Sequence, residues 1–111
     1  MASFVFSYRV PHDYKPGSPE TVAAWRDFFS SLGAGLADTG HAAVQSAVLG
    51  NIGADTRLGG YSIVTADGLD TAVKLAQGCP ALGMGAGVEV GQLAVPPAAN
   101  GTGTGTAAGA A

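Results

Sequence analysis

Gly59-Gly60-Tyr61-Ser62-Ile63-Val64-Thr65-Ala66 runs directly into Asp67-Gly68-Leu69-Asp70-Thr71-Ala72-Val73-Lys74-Leu75-Ala76-Gln77-Gly78, and the hydrophobic period changes at the join. In the first stretch Tyr61, Ile63 and Thr65 fall on one side and Ser62 and Val64 on the other, the period of two that marks a strand. In the second, Leu69, Ala72, Val73 and Ala76 fall at helical spacing with Leu75 alongside. Asp67 is the expected N-cap, with Asp70 three residues on as a weak capping-box partner. Gly78 and then Pro80 stop the helix. A loop over Ala81–Ala86 leads to Gly87–Val95, where Val88 and Val90 alternate with Glu89 and Gly91, so a further strand is expected there.

Working outward from this unit, the same two periods recur upstream. Phe4, Phe6, Tyr8 and Val10 repeat with period two, with Val5, Ser7 and Arg9 on the opposite face, and Pro11 ends the strand for want of an N–H. Ser18-Pro19-Glu20 is a helix start: a hydroxyl cap, proline at the first helical position and an acid in the first turn. Val22, Trp25, Phe28, Phe29, Leu32 and Leu36 form one apolar stripe, and Gly33 and Gly35 place the stop near Leu32. Trp25, Phe28 and Phe29 read as core. After a turn at Asp38-Thr39-Gly40, Ala43–Leu49 alternates loosely, with Val44, Ser46 and Val48 on one face, and is read as the second strand. Gly50–Leu58 is a polar, glycine-rich loop.

The order is β-α-β-β-α-β. This is an α+β fold of ferredoxin-like topology, with two helices on one side of a four-stranded antiparallel sheet. Its other face, where apolar, needs cover, which a second copy of the chain supplies in many proteins of this topology. The fold occupies residues 1–95. From Pro96 to Ala111 the chain holds no large apolar side chain and no charge, and a disordered tail is expected.

Composition narrows the function. Apolar residues make up 47% of the 111 and charged residues 12%, half the usual fraction of about 25%. So little surface charge favours self-association, and a homodimer is expected. The five basic residues are scattered and the net charge is −3, so the basic patch that nucleic acid requires is absent. No apolar run approaches the roughly 18 residues needed to span a membrane, and the alternating N-terminus is not a signal peptide. The one cysteine, Cys79, forms no internal pair and has no metal-ligand spacing around it. The cytoplasm is the expected compartment, and neither a metal nor a cofactor is expected.

Leu58-Gly59-Gly60-Tyr61-Ser62-Ile63-Val64, Ala66-Asp67, Leu69-Asp70, Ala72-Val73, Leu75-Ala76, Cys79-Pro80 and Gly87-Val88-Glu89-Val90 together resemble the second half of the YCII-related (DGPF) domain family. The helix Trp25-x-x-Phe28-Phe29-x-x-Leu32 is similar to its first half. The resemblance spans about residues 3–95. It implies a ferredoxin-like protomer in a dimeric α/β-barrel, with a cleft between sheet and loops where some members use a His–Asp pair. The Asp-Gly-Pro-Phe tetrapeptide that names the family is absent. Asn51–Arg57 occupies that loop, and the resemblance puts Asp55 near the place of the family's aspartate without the motif around it.

Eight residues are candidates for chemistry or binding. His41 is the candidate acid/base, because an imidazole oriented by a carboxylate moves protons near neutral pH. Asp38, three residues before it, and Asp55 are the candidate orienting groups. His12 lies in the loop after the first strand, beside Asp13. Arg9, on the less apolar face of that strand, wants an anion, either a ligand carboxylate or, by preference, Glu89 of the last strand. Arg57 precedes the glycine pair and is a candidate for holding an acidic ligand. Tyr8 and Tyr61 offer hydroxyls to a pocket or pack with a polar tip.

Two functions fit these residues. One is a small-ligand binding or regulatory domain without catalysis, its ligand acidic or aromatic-derived. The alternative is a cofactor-independent enzyme, lactone isomerase-like or dehydrochlorinase-like, working through a His/Asp pair; it rests on likeness of fold.

Overall fold

The alternation of aromatic and polar residues at the start of the chain builds the centre of the sheet. In a computed structural model that describes residues 1–15, 17–53 and 55–95, strand β1 (Ala2–Pro11) buries Phe4, Phe6, Tyr8 and Val10 on one face. It pairs antiparallel with β3 (Thr56–Ala66) on one side and β4 (Gly87–Gln92) on the other. A short β2 (Leu36–Asp38) pairs with the outer edge of β3, giving the order β2-β3-β1-β4. Helices α1 (Pro19–Leu32) and α2 (Leu69–Ala76) complete the β-α-β-β-α-β succession. This is the expected α+β, ferredoxin-like arrangement. No described helix is long and apolar enough to cross a membrane. The proposed tail, residues 96–111, lies outside the described residues.

The core lies between β1, the inner half of β3 and the helices. Phe4, Phe6, Tyr8, Val64 and Ala66 meet Phe28 and Leu32 of α1, Ala72 and Ala76 of α2, and Cys79 and Ala81 beyond it. The α1 start is as its sequence dictates: Ser18 Oγ accepts from the Thr21 N–H at 3.1 Å, with Pro19 at the first helical position. Burial pushes the Cys79 thiol up from its ordinary value, against an opposing pull from the Ala81 and Leu82 backbone.

Five expectations about elements are corrected. The third strand starts at Thr56 rather than Gly59, because Thr56, Arg57 and Leu58, expected in the Gly50–Leu58 loop, pair with Pro11, Val10 and Arg9 of β1. The second strand is Leu36–Asp38, not Ala43–Leu49. The 3₁₀ turn Gly33–Gly35 carries the chain straight from α1 to the edge of β3, and that edge is then used up, first by β2 and next by a bridge from Ala42 to Gly60. Beyond Ala43, whose N–H reaches the Gly59 carbonyl, this edge of β3 offers residues 44–49 no pairing, and Val44 and Leu49 stand 93% and 87% exposed. Asp67 does not cap α2; the extended Gly68 occupies the cap position and no side chain bonds there. The segment after α2 is a 3₁₀ turn, Pro80–Met84, which buries Ala81. Finally β4 ends at Gln92, short of Val95, with one more backbone bond from Leu93 N–H to the Ser3 carbonyl.

Strand β3 carries an irregularity that matters for the site. Tyr8 stands opposite Gly60 but Arg9 stands opposite Leu58, so Gly59 is an extra residue, a β-bulge. Gly60 adopts φ 150° and an added Cβ would sit 2.7 Å from the His41 carbonyl oxygen, so glycine is required where the loop after β2 crosses the strand.

Candidate functional site

A cleft of about 750 Å³ opens between α1 and the sheet. Tyr8 and Val10 of β1 and Gly59 and Gly60 of β3 form its floor, and Val22, Trp25 and Phe29 of α1 form its wall. Tyr14 of the loop after β1 and residues 39–44 of the loop after β2 close its ends. A smaller groove of about 310 Å³ lies by α2 and β4, lined by Leu69, Val73, Leu82 and Val88 among others.

The wall is aromatic because the α1 stripe is. Tyr8 meets Trp25 edge-on with ring centroids 4.9 Å apart, and Trp25 lies 5.8 Å from Phe29. The Tyr8 hydroxyl donates to Ser62 Oγ at 2.9 Å, and the Ser62 hydroxyl donates to the Thr39 carbonyl at 2.7 Å. This chain, buried at Tyr8 and Ser62, ties the floor to the 39–44 loop. Burial pushes the Tyr8 phenol from 10.0 up to about 12, because the phenolate loses its solvation. Tyr8 is therefore a neutral donor at physiological pH.

The loop holding His41 is fastened by its backbone. The Tyr61 N–H donates to the His41 carbonyl at 3.2 Å and the Ala43 N–H to the Gly59 carbonyl at 3.0 Å. Asp38 Oδ1 accepts from the Gly40 N–H at 2.9 Å, so that carboxylate shapes its own turn. The His41 imidazole is exposed at the rim, its ring 6.4 Å from that of Tyr61. Among the described residues it has no hydrogen bond to Asp38 or Asp55.

Arg57 enters the cleft because of the bulge. Counted back from buried Ser62 without interruption, it would share the open face of the sheet with Tyr61 and Ile63. Skipping Gly59 places it opposite Val10, on the helix side. Its Nη2 donates to the Tyr14 carbonyl at 3.1 Å, and Nη1 to the Ala43 and Leu58 carbonyls at 3.4 and 3.3 Å. The half-buried guanidinium thus braces both end loops on neutral acceptors.

Of the eight sequence candidates, Tyr8, His41, Arg57 and Tyr61 line the cleft together. Arg9, His12, Asp38 and Asp55 are not among its lining residues. Arg9 lies on the opposite face of the sheet, and the preferred Glu89 partner is not the one it takes. Its Nε donates to Thr56 Oγ1 at 3.0 Å and its Nη2 to the Thr56 carbonyl at 2.6 Å. Thr56 lies across the strand pair from Pro11, within reach of a side chain that runs along β1, whereas Glu89 stands opposite Ser7. His12 and Asp55 are exposed in loops.

Val22, Trp25, Phe29, Arg26 and Tyr14 also line the cleft but were not candidates. The aromatic pair was assigned to the core, and it is half-buried. The available signal was the length of the α1 stripe, which carries more aromatic bulk than the small residues of the sheet edge can cover. Among the described residues no group of three or more His, Cys, Asp or Glu is placed to hold a metal ion. No family model, no curated protein and no solved structure matches the chain.

Proposed function

We propose that this chain is a small-ligand binding domain of the YCII-related type, in which an aromatic-bodied molecule lies between α1 and the sheet and is bound without being transformed. The observation that carries the reading is the cleft of about 750 Å³ walled by Trp25, Phe29 and Tyr8. Its volume falls in the range of roughly 300–1,000 Å³ usual for small-molecule sites, and its apolar lining is of the usual kind. The catalytic alternative needs an oriented imidazole, and the His41 ring at the rim donates no hydrogen bond to either candidate aspartate among the described residues.

In this reading a second copy covers the open face of the sheet, where Val5 and Ile63 are partly exposed. Homodimer formation fits a chain with 12% charged residues. The test of the site is an NMR titration of the full chain with naphthalenemethanol. Amide shifts should concentrate at residues 22–29, 39–44 and 57–61. Saturable shifts elsewhere, or none at millimolar ligand, would overturn the assignment. Native mass spectrometry tests the assembly: a dimer is expected, and a monomer at micromolar concentration removes the second copy.

A further inference from the structure

We infer that the cleft selects by charge, and that Arg57 receives the carboxylate of a flat aromatic monocarboxylic acid. The inference rests on the binding reading above and names the ligand class of that same site.

Four observations converge on it. The first is the sign of the lining. Among the described residues, Arg26, Arg57 and His41 are the ionisable nitrogen groups around the cleft and no Asp or Glu lines it, in a chain whose net charge is −3. An anion entering there finds no carboxylate on the described lining, with Asp38 turned onto the Gly40 N–H beside it, although the chain as a whole would repel it.

The second is the state of Arg57. A guanidinium carries five N–H donors in a planar fork. Here it makes three hydrogen bonds, all to backbone carbonyls, and the two from Nη1 are long at 3.4 and 3.3 Å. A half-buried cation with neutral acceptors alone is incompletely compensated. A carboxylate in the cleft matches the fork and supplies the missing charge.

The third is the device that puts the cation there. The Gly59 bulge transfers Arg57 from the open face to the helix side, and bulges recur where a strand re-aims a side chain toward a site. The space for it is specific to glycine: an added Cβ at residue 59 would lie 2.9 Å from Val10 Cγ1 and 3.2 Å from Val10 Cγ2. The fourth is the shape of the rest of the cleft. Trp25 touches both Tyr8 and Phe29, and the three present one continuous aromatic surface on which a flat ring can lie, so the anion and the flat apolar body are held by different parts of the lining.

The experiment compares the naphthoate anion with its neutral counterpart naphthalenemethanol, by calorimetry and by NMR of the arginine side-chain N–H groups. Naphthoate should bind the wild-type chain about tenfold more tightly or better, the worth of a charge-assisted hydrogen bond. The Arg57 Nε–H resonance should move with naphthoate and not with the alcohol. In Arg57→Gln the two ligands should bind equally, whereas Arg57→Lys should retain part of the preference and Arg26→Gln nearly all of it. Equal affinities in the wild-type chain, or a preference that survives Arg57→Gln, would overturn the charge selection while leaving the cleft as the site. Failure of both ligands to bind would remove the binding reading itself. Should Arg57→Gln not fold, the wild-type affinities and the Arg57 resonance decide between the outcomes.

Discussion

Helices α1 and α2 lie on one face of one sheet and meet it differently. Helix α2 presents Ala72 and Ala76, and the turn beyond it adds Cys79 and Ala81; all four are buried. Small side chains let backbones approach, and only the groove of about 310 Å³ remains beside β4. Helix α1 presents Trp25, Phe28 and Phe29. Its C-terminal end docks through Phe28 and Leu32, which are buried, while Val22 is 44% exposed and Trp25 and Phe29 are half-buried. Bulk holds the N-terminal half of α1 off the sheet, and the cleft is the space that results. The same hydrophobic periodicity thus builds a closer contact with a small groove at one end and the larger cleft at the other, according to side-chain size.

The contrast is sharpest between two residues one helical turn apart. Phe28→Ala should cost about 3–5 kcal/mol in urea unfolding, as for other buried phenylalanines. Trp25→Ala should cost about 1–2 kcal/mol, in proportion to its half burial. Equal costs would mean that α1 is docked along its whole length.

Tyr8 belongs to both regions, and its titration is the next largest effect. Its phenol is held neutral to about pH 12 in the fold, against 10.0 unfolded. Between those values the unfolded chain has lost a proton that the folded chain keeps, so stability falls as pH rises through this window. The loss should reach about 2–3 kcal/mol by pH 12, and Tyr8→Phe should abolish it in parallel denaturant series. Ser62→Ala should cost about 1–3 kcal/mol, because it strands the buried Tyr8 hydroxyl and the Thr39 carbonyl together. It should also raise amide hydrogen exchange in residues 39–44 and leave α2 unchanged. The smallest effect belongs to the segment that pairs with nothing. Val44→Ser should change stability by less than about 0.5 kcal/mol, as at an exposed surface position, whereas a sheet residue there would cost more.

These elements differ in how far their sequence reveals them. Strand β1 and the inner half of β3 are legible because one face of each is buried and the other is not, and period two follows from that. The Ser18-Pro19 start of α1 is legible because capping chemistry is local. Strand β2 is not: Leu36-Ala37-Asp38 is too short to show a period, and its place is set by the reach of the Gly33–Gly35 turn. The alternation over residues 44–48 carries the signal without a partner strand to use it. Four site residues, Tyr8, His41, Arg57 and Tyr61, were visible as chemistry-bearing side chains. The face on which Arg57 stands was not, because parity along a strand counts residues and the Gly59 bulge alters the count. A helical stripe likewise tells which side of α1 faces the sheet but not how far away it sits. That distance turned Trp25 and Phe29 from core into wall.

The central position of β1 has a consequence for how the chain reaches this state. Both its neighbours come much later in sequence: Ala2 pairs with Ala66, and Phe4 with Gln92. Every hydrogen bond of the middle strand therefore closes a long loop, an ordering that slows folding relative to local pairing. Until β3 and β4 arrive, Phe4, Phe6 and Tyr8 form an alternating aromatic strand with two open edges, the kind of segment that seeks other chains. Refolding yield should therefore fall as protein concentration rises, and a charge at Val5, on the face away from the helices, should protect it.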